Sequence, residues 1–376
     1  MRVLHVIPSL GKAGAERLLL DIVRSQRLLS GFTVELVVLS DCNAYKDEYP
    51  DIKPIPVPSY VRPSLVKPWQ YNLEGWKALI RNYKPDIIHS HLFKADFFVH
   101  FQPEKGVKYV THGHDNMRQL QNMQTKHWIN KRRIVENFEK RFLLKQYSQS
   151  NTHFIAVSQD TEAYFKEVLP NALHSNIHLL TNAINYKTFA QKTSKWPEDG
   201  IRKLVNVGSF VSKKNQSFLV EVMQHLVTGK NRYELFLLGD GPMRGVLENQ
   251  IKERNLNKFI HLPGIVSNVE EYYWKSHAMI HAATYEPFGL VLIEGMAAGL
   301  PLITLDGKGN RFLREALGQR HFLASDISPV DFANYVETCF ETEENWRSQS
   351  QKARLLSRRF DIEAYVDKLK DLYFSL

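Results

Sequence analysis

Short apolar runs of strand length alternate with amphipathic helical patterns along the whole of this chain, and few architectures accept that alternation. In the first half the runs are Arg2–Ile7, Thr33–Leu39, Asp86–His89, Val107–Thr111, His153–Val157 and Ile177–Thr181. The second half repeats the scheme with Lys203–Val207, Tyr233–Leu238, Phe259–Leu262, Ala278–Ala282 and Pro301–Leu305. Strands separated by helix-length segments pair in parallel, because each crossover returns the chain to the same end of the sheet. At 376 residues and 43% hydrophobic, the chain is longer than one core normally serves. Two tandem Rossmann-like, doubly wound α/β domains are therefore expected. Periodicity is lost between Asn185 and Gly200, which places the domains at 1–185 and 186–355. A last segment, 356–376, carries Tyr365, Leu369 and Tyr373 on one helical face and needs a surface to pack on. Six of the 16 prolines fall between Pro50 and Pro68, which excludes a regular helix there and marks an irregular loop.

The formal charge of +9 is uneven: residues 1–185 carry 24 Lys+Arg against 17 Asp+Glu, and residues 186–376 carry 25 against 23. No reader helix or aromatic stacking motif accompanies this basicity, so a nucleic-acid partner is not expected. Much of it lies in Lys126–Lys145, where Trp128, Val135, Phe138 and Phe142 fall near one helical face. Two readings stand. The stretch can lie on an anionic membrane surface, or its apolar residues can pack on the sheet while Lys131, Arg132, Arg133, Lys140 and Arg141 face water. Cys42 and Cys339 have no ligand-like spacing, which points to a reducing, cytoplasmic setting without structural zinc or disulfides. The apolar opening Val3–Ile7 is broken by His5 and stopped by Pro8, so no signal peptide is read, and no long uncharged span crosses a membrane.

Glu286 and Glu294 lie on either side of a turn between a strand running into Ala283 and a helix read over Leu290–Gly299. The N–H groups of Gly289, Leu290 and Val291 would be spare donors at that helix start, suited to a diphosphate. A carboxylate one turn further in can accept two ribose hydroxyls. Spacing alone also fits two solvated helix charges, but both acids sit in a run too apolar to be an exposed face. The segment Tyr285-Glu286-Pro287-Phe288-Gly289-Leu290 through Glu294 resembles the E-x7-E motif of the retaining glycosyltransferases of family 4, and the resemblance extends over nearly the whole chain.

The resemblance implies a GT-B fold, with a nucleotide sugar on the C-terminal domain, an acceptor on the N-terminal one, and reaction in the cleft between them. It also implies that the last helix crosses back to the N-terminal domain. Gly208-Ser209-Phe210-Val211-Ser212-Lys213-Lys214 is similar to the family's Gly-Arg-x4-Lys-Gly phosphate motif. Lys214 takes the place of the family lysine, and Ser209 that of the arginine, leaving Lys213 as a substitute cation. The alternative is that both lysines merely solvate a loop. His112, in Thr111-His112-Gly113-His114-Asp115, matches the family histidine that contacts the donor sugar, or it is a strand-end histidine bonded only to backbone.

Gly11-Lys12-Ala13-Gly14-Ala15-Glu16 matches the family's first loop with Ala13 in place of a glycine. It brings Gly14 near diphosphate or acceptor, or is an ordinary strand-to-helix turn. Gly239-Asp240-Gly241-Pro242 resembles a family turn that flanks the nucleotide, and Ile265 follows the segment that reads the base; a purely structural role fits each as well. No acid closes the following strand, which weakens a nicotinamide reading of these glycines. No Asp-x-Asp pair occurs, and the histidines lack an acidic or cysteine partner at helical spacing, so neither a metal nor another cofactor is expected.

The resulting expectation is a retaining, metal-independent transferase, peripheral at most on the inner face of the membrane. It would move a sugar from a nucleoside-diphosphate donor to a glycan, lipid-linked or anionic acceptor, with His112, Glu286 and Lys214 catalytic. Phe288 and Glu294 join the glycine-turn residues on the donor. An epimerase or phosphorylase of the same fold, or an idle sugar-nucleotide-binding subunit, are the alternatives. Acceptor-dependent release of nucleoside diphosphate separates the first from the rest.

Overall fold

Runs of two to seven residues form the strands of two parallel sheets, each covered by amphipathic helices. The computed structural model describes residues 1–64, 68–121, 131–229, 231–307, 311–318 and 321–376. The chain divides into two units: Met1–Asn182 with Tyr365–Leu376, and Ala183–Ala364.

In the first unit the strands are β1 (Arg2–Ile7), β2 (Thr33–Val38), β3 (Ile55–Pro56), β4 (Tyr60–Arg62), β5 (Gln70–Asn72), β6 (Ile87–His91), β7 (Lys108–Gly113), β8 (His153–Ala156) and β9 (Ile177–Leu179). The main sheet has the order β3-β2-β1-β6-β7-β8-β9. Its order reverses between β1 and β6, the place where ligands bind in open α/β sheets. On one face Leu4, Val6, Ile88 and Tyr109 pack with Trp76 and Phe98. The alternate positions of the same strands include His5, His89, His91 and His112. The proline-rich stretch is more ordered than a plain loop: β3 adds to the sheet edge, where a missing donor costs least, and β4 pairs antiparallel with β5.

The second unit holds β10 (Ile201–Val207), β11 (Arg232–Leu238), β12 (Ile260–Gly264), β13 (Ala278–His281), β14 (Leu302–Leu305) and β15 (Phe322–Leu323), in the order β12-β11-β10-β13-β14-β15. Leu204, Leu235, Leu237 and Ile280 meet Leu219, Val220 and Met223 of the helix Gln216–Leu226 in its core. Each such fully buried side chain contributes roughly 1.5–3 kcal/mol relative to exposure. The switch point here falls between β10 and β13, the strands that precede the lysine loop and the acidic turn.

The helix Lys131–Ser150 departs from the expected pattern. Arg133 and Lys140 were placed in water, yet they are buried with Glu136, while Phe138 is 38% exposed. Arg133 donates to Glu136 at 2.8 Å, so a paired charge occupies the inner stripe that continues through Leu143 and Tyr147. Trp128 and the start of the basic stretch lie outside the described residues. No helix among the described residues is long and apolar enough to cross a membrane.

Candidate active site

After β10 the chain enters a tight loop, Gly208 to Lys214, and leaves it through Asn215, whose left-handed φ of 52° turns it into the helix Gln216–Leu226. The loop lies directly on the Gly239-Asp240-Gly241 turn. The Phe210 N–H donates to the Asp240 carbonyl at 2.9 Å, and a side-chain carbon on Gly239 would stand 2.1 Å from the Gly208 oxygen. That contact gives the second glycine loop a structural role: only glycine lets the two backbones meet. A second tie joins the lysine loop to the turn after β13, where the Thr284 N–H donates to the Lys213 carbonyl at 2.9 Å.

Across this tie the Lys214 ammonium is ion-paired with the Glu286 carboxylate, both largely buried. His281, closing β13, donates to the same carboxylate oxygen at 3.0 Å. The His281 tautomer follows from its neighbours. Asn206 donates to the Ile280 carbonyl at 2.9 Å, which fixes its amide nitrogen toward His281 Nδ1 at 3.1 Å. His281 Nδ1 therefore accepts, and its proton sits on Nε2, facing Glu286. Burial alone would raise the Glu286 pKa, but Lys214 and His281 outweigh it and hold the group at about 2. An acid this strong stays ionised at neutral pH. It can accept hydroxyl hydrogen bonds and stabilise positive charge, but it is no proton donor.

Glu294 is also buried, and Tyr273 Oη donates to it at 3.1 Å. Neither glutamate is thus a solvated helix charge. The helix spans Leu290–Ala297, and its first bonds to Gly289 come from the N–H groups of Leu292 and Ile293. The N–H groups of Gly289, Leu290 and Val291 fall upstream of that ladder, as the anion reading requires. Gly289 has φ 87°, and an added carbon would lie 2.9 Å from the Leu292 side chain. Phe288 is core rather than surface: it is 2% exposed and packs edge-on against Phe360 at 5.9 Å. Ser209 and Lys213 are exposed, with the Lys213 ammonium over the Tyr285 ring at 5.9 Å. Ile265 is 59% exposed beyond β12. The structure brings Lys214, Glu286 and the Gly289 turn together, and Ile265 follows Gly264, whose carbonyl accepts from the Gly239 N–H at 2.9 Å.

In the first unit Gly14 is exposed and opens the helix Gly14–Gln26, whose cap residue Ala13 offers no side-chain bond. His112 is fully buried at the end of β7, and neither ring nitrogen has a hydrogen-bond partner among the described residues. The Asn182 amide lies near enough to favour its charged form, but burial dominates and keeps its pKa far below the usual imidazole value. His114 faces His91 at 3.0 Å and stacks on His112 at 4.1 Å.

His5 beside them is held at about 4 by burial, against an ordinary 6.5. As pH falls below 6.5 the unfolded chain takes up protons that the folded chain refuses, so stability is full above 6.5 and lost progressively toward 4. The urea midpoint of the chelator-treated protein is expected to fall steadily across that window. A flat profile would mean that these rings are charged or solvated in the folded state.

Residues 188–356 match the family model described as Glycosyl transferases group 1, and residues 13–187 match the one described as Glycosyltransferase Family 4. The chain belongs to glycosyltransferase family 4. Among curated relatives of this family-4 glycosyltransferase, "Putative glycosyltransferase EpsF" of Bacillus subtilis is 25% identical over 317 residues, covering 81% of this chain and 79% of that protein. The N-acetylgalactosamine-N,N'-diacetylbacillosaminyl-diphospho-undecaprenol 4-alpha-N-acetylgalactosaminyltransferase of Campylobacter jejuni is 28% identical over 199 residues, covering 52% and 53%. Among solved structures, Anabaena HepE, crystallised with UDP and glucose, superposes with a TM-score of 0.77 at 17% identity over 100% of this chain and 99% of that one. The fold of this family-4 glycosyltransferase is accordingly GT-B.

The sequence pattern overlooked His281 and Asn206. Their one signal is that each is a polar residue following an apolar run, His281 at the end of β13 and Asn206 after Leu204 and Val205, one residue before the end of β10.

Proposed function

We propose that this glycosyltransferase transfers a sugar from a nucleoside-diphosphate donor with retention of configuration, using Lys214 rather than a divalent ion to stabilise the departing diphosphate. The observation that carries the reading is the buried Lys214–Glu286 pair at the β10/β13 switch point. Breaking the glycosyl–phosphate bond develops negative charge on the leaving oxygen. A cation already positioned and desolvated lowers that barrier without reorganisation. Glu286, kept ionised, accepts donor-sugar hydroxyls, and the Gly289–Val291 N–H groups take the second phosphate. Glu294, braced by Tyr273, takes the ribose. His112, buried and with no hydrogen-bond partner on either ring nitrogen among the described residues, is the candidate for the sugar contact that the family resemblance implies.

For the acceptor, the excess of cations in residues 1–185 favours an anionic, lipid-linked glycan. The Campylobacter relative's name, which specifies a diphospho-undecaprenol acceptor, supports that class. Such an acceptor would bring the protein to the inner membrane face without a spanning helix.

The donor is tested by calorimetry against a panel of nucleotide sugars. The wild type is expected to bind at least one, and Glu294→Ala to weaken that binding by about tenfold or more, on the order of one lost charged hydrogen bond. A folded Glu294→Ala protein with unchanged donor affinity removes the ribose assignment. A panel with no binder contradicts the donor class.

A further inference from the structure

The sheet of the first unit collects histidines that are far apart in sequence. Parallel registry sets His5 of β1 beside His89 of β6, and His91 of β6 beside His112 of β7. We propose that His5, His89 and His91 form a three-imidazole site for a divalent transition ion of the zinc class. The proposal stands apart from sugar transfer, since it uses none of the residues assigned to the donor.

All three side chains are fully buried, and each offers a ring nitrogen lying within 4.8 Å of the other two. The outward nitrogens are already engaged: His5 Nε2 with Gln26 Oε1 at 2.7 Å, His89 Nδ1 with Tyr373 Oη at 2.6 Å, and His91 Nδ1 with His114 Nε2 at 3.0 Å. With protons on those outward atoms, all three donate to acceptors. The inward atoms, His5 Nδ1, His89 Nε2 and His91 Nε2, are then all lone pairs. Outer hydrogen bonds of this kind orient histidine ligands in metal proteins.

Without an ion this arrangement is incomplete. His89 Nε2 is buried and has no partner among the described residues. His5 Nδ1 and His91 Nε2 stand 3.0 Å apart, so one of them must hold a proton. An ion bound at zinc–nitrogen distances needs ligand atoms about 3.3 Å apart, so it would replace that proton after small ring rotations. The His5 ring is tilted by 38° to those of His89 and His91, and the latter two lie at 25° to each other. His112 and His114, in contrast, lie parallel within 7°, so their lone pairs do not meet, and the neighbouring trio they form with His91 is the poorer site.

Burial keeps these imidazoles neutral, the form that binds metal. A donor set of imidazoles alone selects zinc, cobalt or nickel over magnesium or calcium.

The full-length protein, stripped with chelator, is titrated with Co²⁺ and then Zn²⁺. Expected are visible cobalt bands that saturate at a single equivalent, their loss on adding Zn²⁺, and a rise in thermal midpoint on the order of 5 °C at a hundredfold excess of Zn²⁺ over its Kd. His89→Gln is expected to abolish the bands, Gln26→Leu to weaken binding by about tenfold or more, and Cys42→Ser to leave it unchanged. Because a histidine variant can fail to fold, X-ray absorption of the zinc-loaded wild type gives a second reading, with three imidazoles in the first shell. No stoichiometric cobalt spectrum, a sulfur ligand, fewer than three imidazoles, or undiminished binding by folded His89→Gln would each overturn the site.

Discussion

Lys214→Ala is expected to lower turnover by about 100-fold or more, the scale seen when one preorganised charge-stabilising donor is removed. Lys214 carries two burdens. In the proposed reaction it is the cation that meets the leaving diphosphate, and in the structure it neutralises Glu286 inside a largely buried turn. Without it Glu286 keeps only His281, and a buried carboxylate left without its ion-pair partner is costly. The variant should therefore lose both rate and thermal stability. Lys214→Arg should not restore the rate, because a planar fork cannot follow the lysine stem between phosphate and carboxylate. Steady-state kinetics with the identified donor, read beside a melting curve, check this. An unchanged kcat would take Lys214 out of the reaction.

Glu286→Gln separates rate from binding. The shape is nearly kept, but the charge that the proposed reaction sets near the donor sugar is lost, so kcat should fall by about 100- to 1000-fold while donor Kd changes by only about threefold. Because Glu286 is held at about 2, the wild-type rate should show no titration of this group from neutral pH down to about 4. A variant with unchanged kcat and weakened donor affinity would make Glu286 a binding residue only.

The fold was legible because a short apolar run between helical patterns needs little context: strands such as Arg2–Ile7 and Tyr233–Leu238 appear in the structure within a residue of where the pattern puts them. The acid pair was legible because a glutamate inside an apolar run must be explained. Long-range geometry was not. Asn206 meets His281, and Lys214 meets Glu286, only because β13 pairs with β10, and His5 meets His91 only through the order of strands in the sheet. Helix faces were misjudged where charge pairing overrode polarity, as Arg133 and Glu136 show. Phe288 sits inside the motif, and its side chain packs against Phe360. A residue's place in a motif does not say which way its side chain faces.

The central claim is that the β10/β13 switch point is a donor site that works with a lysine. The most direct measurement is nucleoside diphosphate release from a nucleotide sugar, with and without a lipid-linked glycan acceptor, in the presence of a chelator. The account predicts release that requires acceptor, persists in chelator, and is lost in Lys214→Ala. Release that needs added divalent ion, or that Lys214→Ala retains in full, would contradict it.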